Sequence, residues 1–216
     1  MAKKETILVF GAHNDDQVLG VGGTMAKYAK EGKRVITVIF SYGELSHPHL
    51  KPELLIKWRV KESRKPDEIM GGKGVYYLGI MEGKFMEEAG TKKTKEKIKG
   101  FIKKYKPAKI FTHSMDDPHP AHREVLRVMK EAFDEIDYKG DVYVFKVWNP
   151  FTIRKRGLPK MVVDITNTFK NKVEAIKAHT SQKMTVISLM WNVYLQAKIS
   201  GMKEGVKYAE VFYKIR

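Results

Sequence analysis

The chain has 216 residues, enough for one large domain over residues 1–216, and its 43% hydrophobic content excludes global disorder. It has no cysteine, which excludes disulfides, thiolate ligands and a cysteine nucleophile together, so any metal must be held by His, Asp, Glu and water. The formal net charge of +16 raises nucleic acid as a partner, but eight lysines fall within Lys92–Lys106, where Ile98, Phe101, Ile102 and Tyr105 recur at helical spacing. Those lysines read as the wet face of an amphipathic helix, and no nucleic-acid partner is expected.

Ile7–Phe10 is a short apolar run ending in Gly11 and reads as a buried strand. A glycine cluster follows, then a helix over Thr24–Lys30 and a second buried strand over Val35–Phe40. Glu53 to about Lys65 is helical, with Pro52 at its start and Pro66 expected to break or kink it. Val75–Leu78 is a third strand, Lys92–Tyr105 the lysine-rich helix, Lys109–Thr112 a fourth strand and His119–Glu135 a further helix. Asp141–Val147 and Met161–Ile165 read as strands, Lys172–Ala178 and Val186–Ala197 as helices, and Val211–Tyr213 as a last short strand. Alternation of strand and helix through the first 135 residues implies an α/β, Rossmann-like doubly wound, mostly parallel sheet with helices on both faces. The later part departs from alternation and is expected to add C-terminal strands and helices. The N-terminal apolar run is too short for a signal peptide, and no stretch approaches the roughly 20 apolar residues that span a bilayer, so a cytoplasmic protein with no membrane partner is expected.

Of the seven histidines, none is expected inside a strand, and six fall in loops after strands or in the first turn of the next helix. In a doubly wound sheet these loops open at the carboxyl edge, and in the order 3-2-1-4 the ligand crevice lies between strands one and four. The loop after strand one carries His13, Asp15 and Asp16; the loop after strand four carries His113, Asp116, Asp117, His119 and His122. His13 and Asp16 can bind one metal and leave Asp15 beside it, while His119-Pro120-Ala121-His122 offers a second pair on one helical face. The residues alone do not choose between His119 and His122. The competing reading is that Asp15, Asp16 and His119 only cap helices. Asp116 or Asp117 could orient one of the histidines or sit on the surface. Gly20, Gly22 and Gly23 lack the Gly-x-Gly-x-x-Gly order and follow two aspartates that would repel a pyrophosphate, so they are read as allowing close helix–sheet packing.

His13-Asn14-Asp15-Asp16-Gln17 resembles the His-Pro-Asp-Asp-Glu signature of the PIG-L/LmbE family of zinc-dependent N-deacetylases, and His119-Pro120-Ala121-His122 resembles its His-x-x-His motif. Tyr42-Gly43-Glu44, Arg59 with Glu62, Leu78-Gly79 with Glu82-Gly83, and the block Asp164-Ile165-Thr166, Lys172, Ala175 and His179-Thr180-Ser181-Gln182 are similar to further family motifs, in order along the chain. Asn14, Gln17 and Glu82 depart from the usual residues without removing a ligand or base.

The resemblance implies zinc held by His13, Asp16 and His122, Asp15 as general base, and His119, when protonated, stabilising the oxyanion of an N-acetylated amino-sugar substrate. It places Glu44, Arg59, Glu82 and His179 on the substrate side, although a lone Arg on a helix is commonly a surface ion pair and His179 could instead cap a helix. His47-Pro48-His49 reads as a surface loop. A homo-oligomer, trimer or hexamer, is also implied. The competing functions are a metal-dependent hydratase or lyase of the same family, and a non-enzymatic metal or nucleic-acid binder.

Overall fold

A computed structural model of the chain describes residues 4–47, 49–147 and 157–216, with the side chains of all but 182–187. Pro48 of the His47–His49 loop and the Gln182 side chain therefore lie outside the described part. Among the described residues seven strands are found: β1 (Thr6–Gly11), β2 (Arg34–Ser41), β3 (Val75–Ile80), β4 (Lys109–His113), β5 (Asp141–Phe145), β6 (Lys160–Asp164) and β7 (Ala209–Lys214). They form one sheet in the order β3-β2-β1-β4-β5-β7-β6. β1 runs parallel to both β2 and β4, with Ile7 opposite Val35 on one side and Lys109 on the other. β7 is antiparallel to β5 and β6, which is where the strand–helix alternation lapses.

The helices are α1 (Asp16–Lys30), α2 (Pro52–Glu62), α3 (Arg64–Met70), α4 (Phe85–Glu88), α5 (Lys92–Tyr105), α6 (Pro120–Glu135), α7 (Phe169–Lys177) and α8 (Lys183–Lys203). Successive side chains of a strand point to opposite faces. Ile7 and Val9 accordingly pack with α1, α7 and α8, whereas Leu8 and Phe10 pack with α5 and α6. Both faces of the parallel core are covered, which is why its strands read as unbroken apolar runs. The lysine-rich α5 buries Ile98, Ile102 and Tyr105. Two of its lysines do more than meet water: Lys95 Nζ is 2.7 Å from Glu135 Oε1 and Lys99 Nζ 2.7 Å from Glu135 Oε2, tying α5 to α6.

Two boundaries differ from the local reading. α1 begins at Asp16, not Thr24, and contains all three glycines. Interior glycine costs a helix about 1 kcal/mol relative to Ala, so the cluster looks like a break. Packing reverses that: a Cβ at Gly20 would collide with the Phe145 ring, and one at Gly23 would lie 2.7 Å from Ile165. Pro66 breaks nothing. The break falls at Ser63, and Pro66 sits in the first turn of α3, where a missing N–H is tolerated.

One buried ion pair locks α1 and α7 to the sheet. Lys172 Nζ donates to Glu210 Oε1 at 2.6 Å, and Glu210 also accepts from Gly23 N, Thr24 N and Thr24 Oγ1 at 3.1, 2.8 and 2.6 Å. Both charged side chains are 5% exposed. Glu210→Ala is expected to cost about 3–5 kcal/mol, because it strands a buried ammonium. Lys172→Met is expected to cost less, since Glu210 keeps three donors. Urea unfolding midpoints check the order; a costlier Lys172→Met would refute it.

Candidate metal centre

The two ligand-rich segments meet at the carboxyl ends of the adjacent strands β1 and β4. The His13 ring centroid lies 5.8 Å from that of His122 and 5.3 Å from that of His119, and the His119 and His122 rings are 4.6 Å apart. Asp16, in the first turn of α1, is the hub. Its Oδ2 accepts from the His13 backbone N–H at 2.7 Å, which folds the turn back on itself. Asp16 Oδ2 is 3.6 Å from His13 Nδ1, and Oδ1 is 3.2 Å from His122 Nε2.

The remaining nitrogens of the two rings face other carboxylates. His13 Nε2 is 3.1 Å from both Glu82 oxygens, and His122 Nδ1 is 3.0 Å from Asp117 Oδ1. A histidine that binds metal through one nitrogen typically presents the other to a carboxylate, which fixes its tautomer and orientation. Neither buried nitrogen of His122 has a hydrogen bond of good geometry, despite oxygen atoms close by. That geometry leaves the ring nitrogens of His122 available to a cation. His13, Asp16 and His122 each offer one atom, all within 4.8 Å of one another. Two imidazoles, one carboxylate and an open fourth position suit catalytic zinc.

His113, Asp117 and His122 also meet this distance test among the described residues. His113 Nε2 and both oxygens of Asp117 are engaged by backbone donors, however. Ala12 N donates to His113 Nε2 at 3.0 Å, and Asp117 accepts from His119 N at 3.1 Å and from Val147 N at 2.9 Å. This trio frames the centre. It includes the one histidine misplaced by the sequence reading: His113 is the last residue of β4, fully buried, and its ring stacks 3.9 Å from that of His122. Its position at the carboxyl end of a strand was the available signal; its partner was not visible locally.

The electrostatics favour a cation. Burial pulls the His13 imidazolium down, yet Asp16 and Glu82 outweigh it and hold its pKa at about 10. Burial likewise opposes His122, but Asp16 and Asp117 raise it to about 9. Burial would push the carboxylates up; instead His122 and His113 hold Asp16 well below its ordinary value, and His13 brings Glu82 to about 2. Asp117 is also brought to about 2, against burial, by His122. The cluster is thus rich in ionised carboxylate. Burial, then the neighbouring His122 and His13, push the His119 pKa below its ordinary value.

Asp15 and His119 occupy the N-cap positions of α1 and α6, but neither side chain makes a capping hydrogen bond. The capping interpretation therefore does not account for either residue. Asp15 is buried beside the hub. His179 follows α7, is 1% exposed, and has no hydrogen bond at either ring nitrogen. Burial lowers its pKa, opposed by the charges of Asp15 and Glu62, and its Nδ1 lies 3.8 Å from Glu62 Oε1. Glu62 fixes this segment by accepting from Thr180 Oγ1, Ser181 N and Ser181 Oγ at 2.7, 2.8 and 2.7 Å.

Three residues expected on the substrate side are engaged by protein. Glu82 holds His13 and accepts from Ser41 Oγ at 2.7 Å. Glu44 Oε1 accepts from Glu82 N at 2.7 Å, while Oε2 has no hydrogen bond. Arg59 is buried, not a surface ion pair, and its Nη1 donates to Gly43 O at 2.7 Å. Gly43 has φ 66°, and a Cβ there would strike the Arg59 guanidinium, so the turn after β2 requires glycine. His47 packs its ring 6.0 Å from that of Trp58, and His49 is exposed.

A family model described as PIG-L, GlcNAc-PI de-N-acetylase, matches residues 8–133, more than half of the chain. The chain belongs to the PIG-L family. It is an enzyme of a hydrolytic N-deacetylase lineage. Its PIG-L relatives include diacetylchitobiose deacetylase of Thermococcus kodakarensis, 25% identical over 221 residues that cover 94% of this chain and 80% of the relative. A 4-oxalmesaconate hydratase of Pseudomonas putida is 25% identical over 215 residues, covering 91% of this chain and 79% of the relative. The fold is shared with N,N'-diacetylchitobiose deacetylase from Pyrococcus horikoshii, with a TM-score of 0.81 at 23% identity, covering 98% of this chain and 84% of that one. The likeness of fold covers 98% of this chain and so extends past residue 133.

Proposed function

We propose that the chain, acting as one domain over residues 1–216, is a zinc-dependent hydrolase that removes the N-acetyl group from an amino sugar of the N-acetylglucosamine or chito-oligosaccharide type. The observation that carries this reading is the convergence of His13, Asp16 and His122 on one point, with Asp15 buried beside it. His13, Asp16 and His122 would hold the metal, which when bound supplies a Lewis acid for the acetyl carbonyl and lowers the pKa of water at the site.

Asp15 takes a proton from the attacking water, and the new C–O bond forms as the carbonyl π pair moves to oxygen. His119 donates an imidazole N–H to that oxyanion, a contact whose loss typically costs ~10²–10³ in rate. Asp15 then returns the proton to the amide nitrogen as the C–N bond breaks, leaving acetate and a free amine. The buried His179 and the unpartnered Oε2 of Glu44 are assigned to the substrate side. Glu82 and Arg59 support it through His13 and Gly43.

The test is acetate release from N-acetylglucosamine and diacetylchitobiose by purified protein of measured zinc content. Acetate produced in proportion to zinc is the expected result; zinc-loaded protein that releases none overturns the reading. The hydratase relative motivates one alternative, addition of water to a double bond, for which turnover of 4-oxalmesaconate without acetate release would be decisive.

Among the described residues no helix is long and apolar enough to cross a membrane. Trp191 and Met202 on α8 are 61% and 69% exposed. We assign that apolar surface to a homo-oligomer, a trimer or hexamer, whose mass light scattering would give.

A further inference from the structure

The end of the sheet opposite the metal centre holds a cavity of about 830 Å³, whose lining includes Lys4, Lys30, Lys33, Arg34, Lys73 and Lys104. Its floor is built from the first residues of β1 and β2, the last residues of α1 and α3, and the last turn of α5. Among the described residues, Glu68 is the single carboxylate-bearing one in the lining. It lies 3.9 Å from Lys65, and both side chains are 69% exposed, so it does little to balance the cavity.

Among the described residues, Lys33 alone of the six forms an ion pair, 3.5 Å from Glu5 and 3.1 Å from Glu31, while Lys73 acts on the buried Asp67 carboxylate without pairing to it. Lys30 Nζ donates to neutral oxygens, Asn167 O at 3.2 Å and Asn171 Oδ1 at 3.4 Å. Arg34 and Lys104 lie over the Tyr105 ring, at 4.9 and 5.1 Å from its centroid. Among the described residues, Lys4, Arg34, Lys73 and Lys104 have no ion pair. The negative ends of α1 and α5 explain basic side chains at Lys30 and Lys104. They do not explain Lys4, Arg34 and Lys73, which come from the approaches to β1, β2 and β3. Like charges gathered in a concave surface raise one another's energy, and a multiply charged anion reverses the sign of that interaction.

We propose that this cavity is a binding site for an oligophosphate, either the free anion or the triphosphate group of a nucleotide. Six cations lining one cavity match the several charges of linked phosphoryl groups better than a single charge, and Tyr105 positions the Arg34 guanidinium for such a contact. The site stands apart from the metal centre and does not depend on the deacetylase reading.

The test is calorimetric titration of the full-length protein with inorganic tripolyphosphate and, separately, with ATP, at about 50 mM and about 200 mM salt. One site per chain is expected, weakening as salt rises. Arg34→Gln/Lys104→Gln and, independently, Lys4→Gln/Lys73→Gln should each weaken binding by ~10-fold or more with an unchanged melting temperature. Lys92→Gln/Lys93→Gln, which removes the same charge from an exposed turn of α5, should change affinity less than ~2-fold. Equal affinity for the two probes assigns the site to the phosphates alone, and tighter ATP adds its nucleoside. Absence of binding at low salt, or equal losses in all three double variants, overturns the proposal.

Discussion

Asp15→Ala is expected to bind zinc like the parent protein and to lose about 10²–10⁴ in kcat, the range carried by a positioned general acid–base group. Asp15 is the N-cap of α1, and replacing a working cap costs about 0.5–2 kcal/mol. Its side chain makes no capping hydrogen bond, so that penalty does not apply and the fold should be retained. Asp16, one residue on, bears the contacts to His13 and His122. The variant therefore separates proton transfer from metal binding. Acetate-release kinetics, zinc content and melting temperature, taken together, check it. A fully active, zinc-loaded Asp15→Ala would remove Asp15 from the mechanism.

His13→Ala should lose zinc and activity together, with affinity reduced by at least ~100-fold, more than the loss of a supporting residue gives. Glu82→Gln should weaken zinc binding by ~10–100-fold, because the Glu82 carboxylate, 3.1 Å from His13 Nε2, orients the ring and raises its basicity. That effect distinguishes a residue that supports the metal from one that only touches sugar; the latter would raise KM and leave zinc affinity alone. Chelator competition measures both variants. Wild-type zinc affinity in His13→Ala would end the assignment of the centre.

Much of this arrangement is legible in local patterns. Unbroken apolar runs such as Ile7–Phe10 mark strands buried on both faces, and their alternation with helices leads to the order β3-β2-β1-β4. Once that order is granted, His13, Asp16 and His122 must meet, since all lie just beyond the carboxyl ends of neighbouring strands. The start of α1 was not legible, because the value of Gly20 and Gly23 depends on Phe145 and Ile165, more than a hundred residues away.

Spacing and residue type report on a residue's own element, which is why the sequence names the parallel strands β1 to β4 and their order, but not the insertion of β7 between β5 and β6 or the short α4. Partners contributed by different elements are another matter. The contacts between His13 and Glu82 and between Ala12 and His113 join residues 69 and 101 positions apart. The downward shift of the His119 pKa, the engagement of Glu44 and Arg59 by backbone, and the gathering of six cations at the opposite end of the sheet likewise arise from packing. Each depends on distances of a few ångströms between chain segments, and no short-range pattern encodes those distances.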